Sequence, residues 1–177
     1  CDVGPDPAAR ALASFGAKVF QGHDPAHVEE ASALVVTAAI PADHPEILRA
    51  RERGIPVLKR AEALGEWVSQ GRVVAVAGTH GKTTTTAMAT EILAAAGLNP
   101  TGFVGGRVPA WESNLRFGGG ELFVVEADEF DRSFHHLRPF VAVVTNVEAD
   151  HLDVYGDLDG VLEGFRVFLS GLAEGGM

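Results

Sequence analysis

The chain has 177 residues, enough for one complete domain and part of another, and it is 46% hydrophobic and 21% charged. Such a composition is typical of a globular protein and excludes a disordered chain. The formal net charge of −10 argues against a nucleic-acid-binding protein, which would carry a basic stripe. It leaves phosphorylated small molecules open as ligands, because anion sites depend mainly on backbone N–H groups.

The single cysteine, Cys1, makes an internal disulfide impossible and favours a reducing compartment. No apolar run reaches the roughly 18 residues of a membrane-spanning helix, and no signal-peptide pattern is visible. The cytoplasm is therefore the expected location. Because the sequence starts without methionine and stops just after a helical pattern, we expect a fragment of a longer protein.

The first 70 residues alternate predicted helices with predicted strands. Helices are expected where a capping residue precedes a proline, at Asp6, Asp24 and His44. The first of these should end at Gly16 and the third near Gly54, and a further helix is predicted at residues 60–70. Apolar runs predict strands at residues 17–20, 33–39 and 55–59. This alternation favours a parallel sheet covered by helices on both faces.

A second series of strands and helices begins near residue 71, so we place a domain boundary between residues 1–70 and 71–177. Strands are predicted at residues 72–78, 121–128 and 140–147, and helices at residues 82–96 and 160–172. Gly97 should end the first of these helices. The Gly-rich stretch between Gly97 and Gly120 is predicted to be irregular.

The strongest local signal is the segment GTHGKTTTT at residues 78–86, which follows an apolar strand and precedes a helix. Its glycines let backbone N–H groups curl around an anion, and the helix N-terminus adds positive potential. Lys82 would reach the β- and γ-phosphates of a nucleotide, and Thr83 would offer a hydroxyl to Mg²⁺. The common phosphate-loop pattern has glycine where Val76 stands, so this is a shorter variant. The alternative is a plain strand-to-helix turn with a solvated lysine.

Polar residues also end the two later strands of this series. Glu126 and Asn146 would lie near Gly78, because ligands of open α/β sheets bind at the carboxyl ends of the strands. Glu126 stands in the place of a Mg²⁺-binding acid, and His151 could hold a second cation or orient a phosphate. The alternatives are a solvated strand end and an ordinary surface histidine. Zinc is disfavoured here, since the ligands are hard oxygens without nearby cysteines.

Three segments, GTHGKTTTTAM, VVEADEFDRSFHHLRP and VAVVTNVEADHLDVYGD, together resemble the Mur ligases. The segment VVTAAIPADHPEILRARERGIPVLKRAEAL resembles the UDP-binding domain of the same family, so the similarity covers nearly the whole chain. It implies an α/β fold with an incomplete Rossmann-like UDP-sugar-binding domain at residues 1–70, lacking its first strand and Gly-rich loop. A central ATP-binding domain of the phosphate-loop ATPase type would follow at residues 71–177, without the family's third domain.

The resemblance implies an ATP- and Mg²⁺-dependent ligase that joins the lactyl carboxylate of UDP-N-acetylmuramate to L-alanine through an acyl phosphate, in peptidoglycan precursor synthesis. The fragment alone is expected to be inactive, and its oligomeric state stays open. Three alternatives remain: a ligase that attaches a recycled tripeptide to the same UDP-sugar, a non-catalytic nucleotide-sugar or ATP-binding module, and a small-molecule kinase.

The resemblance also implies roles for individual residues. It makes Lys82, Glu126 and His151 catalytic, and assigns the metal to Thr83, Glu126 and His151. Nucleotide contacts are expected from Gly78, Thr79, His80, Gly81, Lys82, Thr83, Thr84 and, near the adenine, Asn146. Asp2, Thr37 and His80 are expected to contact the UDP-sugar substrate. Phe130 and His135 depart from the family pattern, and a carbamylated lysine cannot be placed because no lysine follows Lys82.

Overall fold

A computed structural model describes residues 12–13, 16–37 and 39–177. The helix predicted to start at Asp6 lies outside the described residues, apart from a helical pair at residues 12–13 ahead of Gly16, whose φ is +88°. The chain divides into two compact units, residues 1–63 and 64–177. In the described residues no helix is both long and apolar enough to cross a membrane.

The first unit contains a two-stranded parallel sheet, formed by β1 (Leu34–Val36) and β2 (Val57–Lys59). Helix α1 (Pro45–Glu52) connects the two strands, and a 3₁₀ helix, Pro25–Val28, precedes them. The helix starts predicted at Asp24 and His44 are both confirmed. The Asp24 side chain accepts a hydrogen bond from the Ala26 N–H, and the His44 side chain accepts one from the Glu46 N–H.

Two strand predictions in this unit need correction. Residues 17–20 form no strand and are exposed, because an apolar run becomes a strand only where a neighbouring strand pairs with it. The strand predicted at residues 33–39 is only three residues long, and the side chain of its central residue, Val35, is 51% exposed.

The second unit has a five-stranded sheet in the order β5-β4-β6-β3-β7. Its strands are β3 (Arg72–Ala77), β4 (Thr101–Val108), β5 (Ser113–Arg116), β6 (Leu122–Glu126) and β7 (Val141–Val144). All neighbours run parallel except β4 and β5. The remaining helices are α2 (Arg60–Val68), α3 (Lys82–Ala95), α4 (Leu152–Tyr155) and α5 (Leu158–Ser170), with 3₁₀ turns at Pro109–Trp111 and Phe130–His136. The predicted α/β class with mainly parallel sheets is confirmed.

The stretch between Gly97 and Gly120 is not irregular, as predicted, but contains β4 and β5. The glycines of β4 make this strand look like a loop in the sequence. They are required because the strand packs closely against α3. A Cβ atom on Gly102 would lie 2.6 Å from Cγ2 of Thr90, which is fully buried in that helix. The lack of a side chain at Gly102 therefore allows β4 to pack against α3.

The core of the second unit lies between β3 and β6 on one side and α5 on the other. Phe134, Phe165 and Phe168 are nearly fully buried there, and the rings of Phe134 and Phe168 stack 5.0 Å apart. Val68 at the end of α2 belongs to the same core, which explains why the units divide at residues 63 and 64. The predicted domain boundary at residues 70 and 71 stays a prediction. With β3 between β6 and β7, the carboxyl ends of these three strands lie side by side.

Candidate active site

The loop between β3 and α3 curls through two glycines with positive φ, +132° at Gly78 and +82° at Gly81. A Cβ atom on Gly78 would overlap the hydroxyl oxygen of Thr145, so this position is closed to any side chain. Gly81 is the N-cap of α3, and no side chain caps the helix. The first-turn N–H groups of α3 therefore remain available to an external acceptor.

Residues at the end of β7 hold this loop in place. The Asn146 carbonyl accepts a hydrogen bond from the Thr79 N–H at 3.0 Å, and its side-chain oxygen accepts one from the His80 N–H at 2.8 Å. The Thr145 hydroxyl donates to the His80 carbonyl at 2.7 Å. In return, the Thr79 hydroxyl accepts from the Glu148 N–H at 2.9 Å. These contacts place Asn146 beside the loop backbone, and its predicted approach to an adenine stays a prediction.

Lys82 forms a buried ion pair with Glu129. The lysine Nζ lies 2.9 Å and 2.8 Å from the two carboxylate oxygens, and the two side chains are only 13% and 3% exposed. Nζ also donates to the Gly78 carbonyl at 2.8 Å and to that of Thr79 at 3.3 Å. The ammonium group is thus held directly beneath the curled loop rather than in solvent.

Thr83 and Glu126 form a second polar pair, one helical position further on. The threonine hydroxyl lies 3.0 Å from both carboxylate oxygens of Glu126, and the Gly105 N–H donates to one of these oxygens at 2.7 Å. Glu126 is partly buried at the end of β6. A hydroxyl and a carboxylate at this spacing form a donor set of hard oxygens.

His151 and Tyr155 approach Glu129 from α4 and its N-cap. His151 Nε2 lies 3.8 Å from a carboxylate oxygen of Glu129, and its ring lies edge-on to Phe130 at 5.3 Å. The Tyr155 hydroxyl donates to the Glu129 carbonyl at 2.6 Å. Burial of Tyr155, reinforced by the negative charge of Glu129, raises the pKa of its phenol to about 12.

The other predicted site residues are not all at this edge. His80 is exposed, with Nε2 3.8 Å from a carboxylate oxygen of Glu148, and Thr84 is exposed on α3. Thr37 belongs to the first unit, where it lines a cavity of about 330 Å³. Asp2 lies outside the described residues. In the described chain, no three His, Cys, Asp or Glu side chains converge on Glu126, so a second metal at His151 stays a prediction.

Sequence reasoning missed Glu129, the direct partner of Lys82. The available signal was its position as the last of the three acids of the EADE segment, three residues after Glu126. Glu129 lies beyond the end of β6, just before a 3₁₀ segment with left-handed backbone at Asp131 and Arg132, where φ is 51° and 56°. No simple periodicity extends into this segment, so the contact with Lys82 was not predicted.

Two family models match the chain in succession. The model of the Mur ligase family catalytic domain matches residues 1–72, and that of the Mur ligase middle domain matches residues 76–177. The chain belongs to the Mur ligase family.

Two curated relatives show which kind of Mur ligase the chain is similar to in sequence. The chain is 48% identical over 177 residues to a UDP-N-acetylmuramate–L-alanine ligase of Methylobacillus flagellatus and 49% identical over 175 residues to one of Rubrobacter xylanophilus. Each match covers 99% of the chain but only 37% and 39% of the relative. This Mur ligase sequence therefore spans less than half the length of the curated relatives it matches.

Solved Mur ligases have the same fold. The UDP-N-acetylmuramate–alanine ligase of Thermotoga maritima superposes with a TM-score of 0.79 at 30% identity, covering 92% of the chain and 39% of that structure. The Neisseria meningitides ligase for UDP-N-acetylmuramate and L-alanyl-γ-D-glutamyl-meso-diaminopimelate gives a TM-score of 0.82 at 29% identity, covering 98% and 59%. The fold comparison therefore does not distinguish between these two kinds of Mur ligase.

The two glycines of the loop allow a matched test of its geometry. Gly81→Ala should cost roughly 1–2 kcal/mol in the free energy of unfolding, because only the left-handed backbone is strained. Gly78→Ala should cost about 3 kcal/mol or more, because a methyl group there also displaces Thr145. Urea unfolding of both variants measures the difference, and equal costs would contradict the packing described for Gly78.

Tyr155 is the only tyrosine of the chain, so its titration can be followed directly by phenolate absorbance. The folded chain should titrate near pH 12, against about 10 for the unfolded chain. Because folding raises this pKa, the stability contributed by the protonated phenol is complete below about pH 10 and is lost as the pH rises through about 12. Tyr155→Phe supplies the blank, and a folded-state midpoint near 10 would show that the phenol is not buried against Glu129.

Proposed function

We propose that the protein containing this chain is an ATP-dependent ligase that joins the lactyl carboxylate of UDP-N-acetylmuramate to L-alanine, in peptidoglycan precursor synthesis. The observation that carries the proposal is the juxtaposition of an uncapped helix N-terminus, a buried lysine and a carboxylate at one sheet edge. The 48–49% identity to alanine-adding ligases supplies the substrate class.

The loop geometry supports binding of a nucleotide's terminal phosphates. The first-turn N–H groups of α3 would donate to phosphate oxygens, and the helix dipole would favour their negative charge. Lys82 lies under the same loop, and Glu129 keeps its side chain oriented before the phosphates arrive. A lysine fixed in advance loses less conformational freedom when it engages a phosphate.

The pair Thr83 and Glu126 fits magnesium by the chemistry of its donors. Mg²⁺ is bound in proteins by one or two carboxylates together with substrate phosphates and water, and prefers oxygen ligands. The hydroxyl and carboxylate lie 3.0 Å apart beside the phosphate loop. When bound there, Mg²⁺ would offset the charge that develops on the transferred phosphoryl group.

The reaction follows from these roles. The lactyl carboxylate takes the γ-phosphoryl group of ATP to give an acyl phosphate and ADP. The alanine amine then attacks the acyl carbon, loses a proton and displaces inorganic phosphate to give the amide. Lys82 stabilises negative charge on the phosphoryl oxygens during this transfer. His151, 3.8 Å from Glu129, is proposed to act at a second metal or to orient a phosphate. No covalent bond to the protein is required.

Residues 1–70 are proposed to bind the UDP-sugar and residues 71–177 to bind ATP. Thr37 lines the cavity of the first unit and is proposed to face the UDP-sugar, with Asp2 and His80 as further candidate contacts. A cytoplasmic location is proposed from the intracellular nature of ATP and of the UDP-sugar.

The related tripeptide-adding reaction is the second candidate, because the Neisseria meningitides ligase has the same fold over 98% of the chain. A non-catalytic binding module is a weaker candidate, since such a module needs no acid at Glu126 beside Thr83. A small-molecule kinase is disfavoured by the match of residues 1–72 to the Mur ligase family.

A phosphate-release assay on the complete gene product distinguishes these functions. With ATP, Mg²⁺ and UDP-N-acetylmuramate, release should require an added amine, and L-alanine should be the preferred amine over the tripeptide. Preference for the tripeptide would establish the second candidate. Stable phosphorylation without any amine would indicate a kinase, and no turnover with any amine would indicate a binding module.

Two variants test the roles at the sheet edge in the same assay. Lys82→Ala should lower turnover by about 100-fold or more, because it removes charge stabilisation in the transition state. Glu126→Ala should raise the Mg²⁺ concentration needed for half-maximal turnover. Lys18→Ala, which changes an exposed lysine of the first unit, is the matched control and should leave both quantities unchanged. Near-wild-type turnover of Lys82→Ala, or an unchanged Mg²⁺ dependence of Glu126→Ala, would remove that residue from the site.

A further inference from the structure

Glu46 lies among three histidines in the first unit, far along the chain from the phosphate loop. Its side chain, in the first turn of α1, is only 11% exposed. His27 Nδ1 lies 2.9 Å from carboxylate oxygen Oε1. His23 Nδ1 and His44 Nδ1 lie 3.5 Å and 3.9 Å from the other oxygen, Oε2. The cluster lines the same cavity as Thr37, but the roles proposed for the ligase reaction are assigned to none of these four side chains.

The cluster is assembled by contact between α1 and the 3₁₀ helix Pro25–Val28. The Asp24 N–H, just before the 3₁₀ helix, donates to Glu46 Oε1 at 3.2 Å. Because an ionised carboxylate only accepts hydrogen bonds, His27 donates to the same oxygen. These two contacts fix the orientation of the carboxylate, so that Oε2 is the oxygen on the side of His23 and His44.

The spacing of the donor atoms matches that of a metal site. One ligand atom from each of His23, His44 and Glu46 lies within 4.8 Å of the others. A tetrahedral zinc site with bonds of 2.0–2.1 Å places its ligand atoms about 3.3 Å apart, so metal binding would draw the most widely separated of these atoms together by up to about 1.5 Å. The rings of His23 and His44 are nearly perpendicular, at 85°, with centroids 4.6 Å apart.

The hydrogen bonds of the cluster determine how a metal could bind. His44 Nδ1 accepts a hydrogen bond from the Glu46 N–H at 3.3 Å, and a metal bound through this nitrogen would replace that hydrogen bond. Burial opposes ionisation of Glu46 and is the largest single influence, but the hydrogen bonds from His27 and Asp24, with His23, outweigh it and lower its pKa. The carboxylate is therefore ionised at neutral pH.

We infer that His23, His44 and Glu46 bind one divalent transition-metal ion of the zinc class, with His27 orienting the carboxylate. Two imidazoles and one carboxylate favour zinc, cobalt or nickel over magnesium, which prefers oxygen ligands. All four residues line the cavity of about 330 Å³, so the fourth coordination position would be open to water. The inference does not depend on the proposed ligase function.

Titration of the purified chain with Zn²⁺ and with Co²⁺ tests the inference. We expect one Zn²⁺ per chain, retained in the presence of excess Mg²⁺, and a visible d–d absorption band with Co²⁺ whose intensity indicates tetrahedral coordination. His44→Asn should abolish the stoichiometric binding. Asparagine is a good N-cap residue, so this change preserves the start of α1 while removing the imidazole.

Three further variants complete the test. His23→Ala removes the more exposed ligand and should also abolish binding, which covers the case in which His44→Asn fails to fold by circular dichroism. His27→Gln should weaken binding by about 10- to 100-fold, as expected for a residue that orients a ligand. His136→Asn, an exposed histidine of the second unit, is the matched control and should bind as the parent does. The inference is overturned if the parent chain binds no Zn²⁺, or if His44→Asn and His23→Ala bind it as tightly as His136→Asn.

Discussion

The buried ion pair between Lys82 and Glu129 connects the segments that form the candidate active site of the second unit. It joins the loop after β3 to the segment after β6, and Tyr155 connects the same segment to α4 through the Glu129 carbonyl. Breaking a buried pair by removing one partner typically costs 3–5 kcal/mol, because the other charge stays buried without compensation. The position of the lysine is therefore a property of the fold and not of a single flexible side chain.

The loop and the ion pair depend on each other. Gly78 can approach Thr145 only because it has no side chain, and that approach allows Asn146 to bind the backbone of Thr79 and His80. The loop carbonyls in turn accept hydrogen bonds from the Lys82 ammonium. The result is a concave backbone with one cation beneath it, and Thr83 and Glu126 supply oxygen donors at the next position of α3. An anion bound there would need little rearrangement of the protein, which is the condition for electrostatic catalysis.

Sequence reasoning predicted the parts of this arrangement that are local. The loop after β3 and the acid at the end of β6 follow apolar strands, and each strand carries its own signal. Parallel pairing of β3 with both β6 and β7 then brings their ends together. Glu129 could not be placed in this way, because it lies beyond the end of β6, where no strand periodicity predicts the path of the chain. The strand β4 was not predicted because its glycines are typical of a loop. In the structure, a glycine is needed there because β4 packs closely against Thr90.

The central claim is that one curled backbone, one ammonium group and one carboxylate together bind the terminal phosphate of a nucleotide and its metal. A crystal structure of the complete gene product with a non-hydrolysable ATP analogue and Mn²⁺ in place of Mg²⁺ tests it most directly. We expect the γ-phosphate within hydrogen-bonding distance of Lys82 Nζ, and an anomalous Mn²⁺ peak ligated by Thr83 and Glu126. A nucleotide bound elsewhere, or a metal peak remote from both residues, would contradict it.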